Sequence, residues 1–249
     1  MRPWEVALGK FLKPWEENEV VEAAILTGSY AIGLQTPRSD VDVYIILSDD
    51  VDWRERGNVL VDGFLIEYFA NPVRQIRRYF EDEHSRNKRN TARIILIGKV
   101  LFDKTGIIKA LRAEAEEYMR KPFPKPDPVK VELAKYILWD ALDILKDAEE
   151  RGDPSYAYLY HLALRGALES YARFLRVEVP PASKVYRLFS DEAFREAYLF
   201  PNFPDDEFVA LFLKAMEDVK TENAEALITH VLEKMGGFSI DGWRLRTGV

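Results

Sequence analysis

The chain has 249 residues, enough for one large domain or two ordinary ones, and its 47% hydrophobic and 31% charged content excludes an intrinsically disordered protein. The absence of cysteine excludes disulfides, thiolate zinc sites and cysteine nucleophiles, and no apolar run reaches the length of a membrane span. A formal net charge of −7 argues against indiscriminate nucleic-acid binding, and a start without a secretory signal points to the cytoplasm.

Residues 3 to 18 read as an opening helix with Trp4, Leu8, Phe11 and Leu12 on one face and Pro14 interrupting or ending its first part. Val20 to Thr27 is an apolar strand that delivers the chain to Gly28, and the loop from Ser29 to Ser39 has room for a helical turn before Thr36-Pro37. A second strand runs from about Asp40 to Leu47. Residues two apart in a strand face the same side, so Asp40 and Asp42 converge on one spot. Two carboxylates held that close repel unless a cation lies between them, and hard oxygen donors of this kind suit Mg²⁺ with substrate phosphates. Gly28 lets the main chain approach such phosphates closely, and Ser29 adds a hydroxyl.

The stretch from Gly28 to Asp42, GSYAIGLQTPRSDVD, combines Gly-Ser, a short spacer and Ser-Asp-x-Asp. It resembles the signature of the nucleotidyltransferase superfamily, which includes kanamycin nucleotidyltransferase and, more remotely, DNA polymerase β. The resemblance implies an α+β N-terminal domain, a mixed sheet with flanking helices, that binds a nucleoside triphosphate through Gly28, Ser29 and Ser39. Asp40 and Asp42 would hold the Mg²⁺.

Asp62-Gly63 between two apolar runs, Asn58 to Val61 and Phe64 to Ala70, is a strong hairpin signal, with Val51 to Gly57 read as an irregular or short helical connection. The hairpin puts Glu67 in the middle of an otherwise apolar strand, where an unpaired carboxylate is costly. Relatives place a third acid on a neighbouring strand, and the resemblance assigns that part to Glu67, with Asp62 as the alternative acid and an edge-strand Glu facing water as the bland one. Pro72 to about Glu83 reads as a helix with Pro at its first position, Asn87 begins another that stops near Gly98, Val100 to Asp103 returns a strand, and Thr105 to Arg120 is amphipathic. Between Pro72 and Lys99 eight basic residues stand against three acidic ones. Arg89 and Arg93, four apart, share a helix face, which suits either a triphosphate or intramolecular ion pairing.

Four prolines between Lys121 and Pro128 mark a stiff linker, 121–128, separating a catalytic domain at 1–120 from a second domain at 129–249. Beyond it the periodicity is helical, with helices at about 129–150, 155–176, 191–199, 206–220 and 222–235, the pattern of an all-α bundle. In kanamycin-type relatives such a domain receives the acceptor and can supply the general base, for which Asp140 and Asp143 are candidates. HEPN ribonucleases, which share this kind of bundle, carry Arg before His, whereas His161 here precedes Arg165. The implied activity is Mg²⁺-dependent transfer of a nucleoside monophosphate, AMP from ATP, to a hydroxyl of a small acceptor such as an aminoglycoside. The alternatives are a toxin- or antitoxin-type transferase acting on RNA or protein and a catalytically silent binding module. Relatives often dimerise around shared sites, so the resemblance also implies a homodimer.

Overall fold

The alternating run that follows the glycine-serine loop becomes the central strand of a five-stranded mixed sheet. The computed structural model describes residues 2–246, and one unit runs to Lys121 while a second starts at Pro122. In the first unit the chain forms α1 (Pro3–Glu17), β1 (Val21–Thr27), α2 (Gly28–Ile32), β2 (Val41–Leu47), β3 (Glu55–Val61), β4 (Phe64–Pro72), α3 (Val73–Ser85), α4 (Asn90–Ile97), β5 (Lys99–Asp103) and α5 (Ile107–Arg120). The strand order is β3-β4-β2-β1-β5, with β2 and β4 parallel and the other neighbours antiparallel.

Both faces of the sheet are covered, which is why β2 reads as an almost continuous apolar run. One face sets Val41, Val43, Ile45, Leu47 and Ile66 against Leu8, Phe11 and Leu12 of α1. The opposite face sets Ile25, Tyr44 and Ile46 against Ile76 and Phe80 of α3, Ile95 of α4 and Leu111 of α5. Asp42 is the only charged residue of β2, and it lies on this second face with Tyr44 and Ile46.

Four sequence expectations change at this level. α1 continues through Pro14, because Pro14 lies on the exposed side, where the carbonyl left without its N–H partner faces water, while Phe11, Leu12 and Trp15 hold the helix on the sheet. β3 begins at Glu55 and runs through Gly57, since a Cβ there would meet the Tyr68 hydroxyl oxygen at 2.5 Å; the glycine makes room for the ring of its cross-strand partner instead of ending the strand. Pro72 is the N-cap of α3 and not its first helical residue. Asn87 belongs to the end of α3, not the start of α4: it adopts φ 56°, its N–H donates to His84 O, and Lys88 N–H donates to Glu83 O, a left-handed helix stop.

The second unit consists of α6 (Pro128–Glu150), α7 (Tyr156–Phe174), α8 (Val185–Ser190), α9 (Glu192–Ala197), α10 (Asp206–Glu217) and α11 (Thr221–Lys234). The short α8 has no counterpart in the sequence reading, because six residues are too few to display a helical period. Leu138, Leu145, Tyr160, Leu164, Tyr171, Phe208, Leu227 and Ile228 lie at the core of the bundle. Asp127 caps α6 through Val129 N–H and Asp205 caps α10 through Phe208 N–H. Asp205 also accepts hydrogen bonds from the Tyr171 hydroxyl at 2.5 Å and the His230 ring at 2.9 Å. No helix among the described residues is long and apolar enough to cross a membrane.

Candidate active site

Sheet register decides what Asp42 faces. Thr27 of β1 pairs with it on one side and Glu67 of β4 on the other, so the three side chains form one row across the same face. Asp40 precedes β2 by one residue, and a carboxylate oxygen from each of Asp40, Asp42 and Glu67 lies within 4.8 Å of the other two. All three are half-buried. Three hard carboxylate oxygens at this spacing fit Mg²⁺ or a similar divalent cation, with room for water or phosphate oxygens to complete an octahedron. Asp62 is used elsewhere: it turns the hairpin with φ 49° and pairs with Lys10 Nζ at 2.7 Å.

The glycine-serine loop packs directly on this cluster. Gly28 has φ +62°, and a Cβ at that position would meet Asp42 Oδ2 at 1.8 Å, so any side chain would displace the carboxylate. Ser29 is the second residue of α2. Thr27, the N-cap residue of α2, makes no side-chain capping bond; its hydroxyl is buried and without a hydrogen-bond partner. Ser39 closes the turn ahead of Asp40, its Oγ accepting from Thr36 N–H at 2.9 Å and lying 3.3 Å from Thr36 Oγ1.

One guanidinium that touches the acidic cluster was not singled out from the sequence. Arg56 Nη2 donates to Glu67 Oε1 at 2.7 Å, and its guanidinium carbon stands 4.6 Å from the centre of the Phe69 ring. The signal was present in the hairpin: a two-residue Asp62-Gly63 turn pairs Val61 with Phe64 and, counting back, Arg56 with Phe69. Reading Gly57 as part of a connection hid it. Arg56 also borders a cleft of about 480 Å³ lined by Tyr44, Arg54, Phe69, Asn71, Tyr79, Glu83 and Thr91, among others. Burial pushes the Tyr44 hydroxyl far above the ordinary tyrosine range, so it stays protonated.

Arg89 is the N-cap of α4 and donates to Lys121 O at 2.6 Å, while Arg93 is only 6% exposed. Other members of the basic run are also engaged within the unit: Arg74 donates to the main-chain oxygens of Asp49 and Val51, and Arg77 grips Glu114 with two nitrogens at 2.8–3.2 Å. The local positive excess is therefore in part structural. Asp140 and Asp143 lie on α6, half-buried and exposed respectively.

Residues 8–101, which contain every member of the acidic cluster, match the family model of the nucleotidyltransferase domain. No curated protein matches the chain. Among solved structures, the chain is similar to a nucleotidyltransferase-like protein from Exiguobacterium sibiricum at 12% identity and a TM-score of 0.46, covering 93% of this chain and 75% of that one. The part of the chain that gathers Asp40, Asp42 and Glu67 behind a glycine-serine loop is thus a nucleotidyltransferase domain, matched over residues 8–101.

Proposed function

We propose that the protein is a Mg²⁺-dependent transferase that moves AMP from ATP to a hydroxyl of a small-molecule acceptor and releases pyrophosphate. The observation that carries this reading is the row of Asp42 and Glu67 in register, joined by Asp40 within 4.8 Å, with the Gly28 main chain packed on the Asp42 carboxylate.

In this reading Asp40, Asp42 and Glu67 hold the cation. Once bound, Mg²⁺ would neutralise charge on the phosphates and lower the pKa of the attacking hydroxyl. Gly28 allows the main chain to lie close to the triphosphate, Ser29 offers its hydroxyl, and Ser39 shapes the turn that aims Asp40. Arg56 anchors Glu67 through Oε1 and leaves Oε2 for the cation or for a proton. The acceptor oxygen bonds to the α-phosphorus as the α–β P–O bond breaks; pyrophosphate carries off the electron pair, and the hydroxyl proton passes to Glu67 or to solvent.

The test is incubation of the protein with α-labelled ATP, Mg²⁺ and a panel of hydroxylated acceptors, followed by mass analysis of labelled products. Metal-dependent label on an acceptor with stoichiometric pyrophosphate is expected, abolished by EDTA and by Asp42→Asn. Undiminished turnover by the Asp42→Asn protein would sink the mechanism.

A further inference from the structure

We infer that the cleft beside Glu67 is the acceptor pocket, and that it takes a small polyhydroxyl molecule bearing an anionic group, phosphate or carboxylate, and not a polycation such as an aminoglycoside. The inference rests on the nucleotidyl-transfer reading of the acidic cluster and deepens it.

Position comes first. The Gly28–Ser29 loop lies on the β1 side of Asp42, whereas the cleft opens on the β4 and β3 side, beyond Glu67. In an in-line displacement the attacking hydroxyl stands opposite the leaving pyrophosphate. With the phosphates toward Gly28, the acceptor therefore enters from the Glu67 side. At about 3.3 Å of rise per strand residue, Phe69 sets the floor of the cleft about 7 Å from the third acid, roughly one sugar ring away. Arg56 links the two, bonded to Glu67 while lying over Phe69.

The lining supplies the chemistry. Arg54 Nη1 donates to the Tyr79 hydroxyl at 2.7 Å, Tyr79 donates to Asn71 Oδ1 at 3.5 Å, and Asn71 Nδ2 donates to the Tyr44 hydroxyl at 3.2 Å. Tyr44 accepts in this chain, which leaves its own proton for a ligand oxygen. Neutral donors and acceptors set against the Tyr44 and Phe69 rings, stacked at 6.3 Å, suit a hydroxyl-rich molecule with an apolar face. Both lining carboxylates are turned to protein donors: Glu83 accepts from Thr91 N–H at 2.7 Å and from its hydroxyl at 2.8 Å, and Glu55 accepts from the Tyr68 hydroxyl. The two guanidiniums belong to exposed residues, as does Glu55 between them, and Arg54 uses a single nitrogen on Tyr79. A phosphate or carboxylate can take the remaining donors in bidentate fashion, while a polycation would meet two like charges at the entrance.

The experiment measures binding to the full chain without metal or nucleotide, by saturation-transfer NMR with ribose 5-phosphate, glucuronate, ribose and kanamycin as probes. Ribose 5-phosphate and glucuronate are expected to bind, the stronger of the two telling phosphate from carboxylate, with ribose weaker and kanamycin silent. Arg54→Gln should weaken both anionic probes at least fivefold and leave Mn²⁺ binding at the acidic cluster unchanged. Binding of kanamycin in preference to the anions, or anion binding indifferent to Arg54→Gln, overturns the assignment. Failure of the transfer reading shows separately, as AMP transfer that survives Asp42→Asn.

Discussion

Replacing Gly28 by alanine separates backbone strain from damage to the metal-binding row. A non-glycine residue held at φ +62° costs about 1–2 kcal/mol. The new Cβ would also stand 1.8 Å from Asp42 Oδ2, where ordinary contact begins near 3.4 Å, so the carboxylate must retreat by about 1.6 Å. Displacement of about 1 Å at a reacting centre costs on the order of 100-fold in rate. Gly33 provides the control: it has φ +76°, but a Cβ there meets nothing within 4 Å. Gly28→Ala and Gly33→Ala should both lower the melting temperature, by roughly 2–8 °C for a chain of this size. Only Gly28→Ala should also lose Mn²⁺ affinity by calorimetry and AMP transfer by about 100-fold or more. Equal Mn²⁺ affinity in the two variants would refute the packing of Gly28 on a metal-binding carboxylate.

Asp40→Asn and Asp42→Asn should each reduce transfer by about 100-fold or more while melting close to the unmodified protein, because carboxylates gathered for a cation contribute little to folding without it; Glu67→Gln with undiminished activity would remove Glu67 from the site. Thr27→Val deletes a buried hydroxyl that has no partner, and should leave thermal stability unchanged or raise it by up to about 1 kcal/mol. A clear loss on melting would show that the hydroxyl is bonded in solution. Asp205 is a pH-sensitive group of the bundle: burial acts to raise its pKa, but hydrogen bonds from Tyr171, Phe208 N–H and His230 outweigh it and hold the carboxyl at about 2, below its ordinary 3.8. A depressed carboxylate stabilises the fold at pH above its unfolded value and loses that contribution as pH falls through the folded one. About 2 kcal/mol should therefore disappear between roughly pH 4 and pH 2. In acid titrations followed by circular dichroism, Asp205→Asn should start less stable at neutral pH and lack this step; an unchanged acid profile would count against the network.

The chemistry was legible in the chain because it is written in contiguous residues. Gly28-Ser29 and Ser39-Asp40-Val41-Asp42 fall within fifteen positions, and a period of two is enough to place both aspartates on one face. Glu67 could be singled out because a carboxylate inside an apolar strand is a local contradiction, although its role came from resemblance. The opening helix shows where local rules stop: Pro14 predicts a break, and burial of Phe11 and Trp15 on either side carries the helix past it.

What tertiary structure decided is pairing between strands that are distant in sequence. Asp42 meets Glu67 because β4 docks parallel to β2 after crossing outside it, and Thr27 joins the row because β1 runs antiparallel on the other side. No periodicity within a single segment encodes which strand becomes its neighbour. The same holds for Arg56, whose contact with Glu67 follows from hairpin register, and for the cleft, whose walls come from β2, β3, β4, α3 and α4. A reaction class needs only a few donors of the right kind close together in the chain; a binding pocket is the space left between packed elements, and it exists only after they have packed.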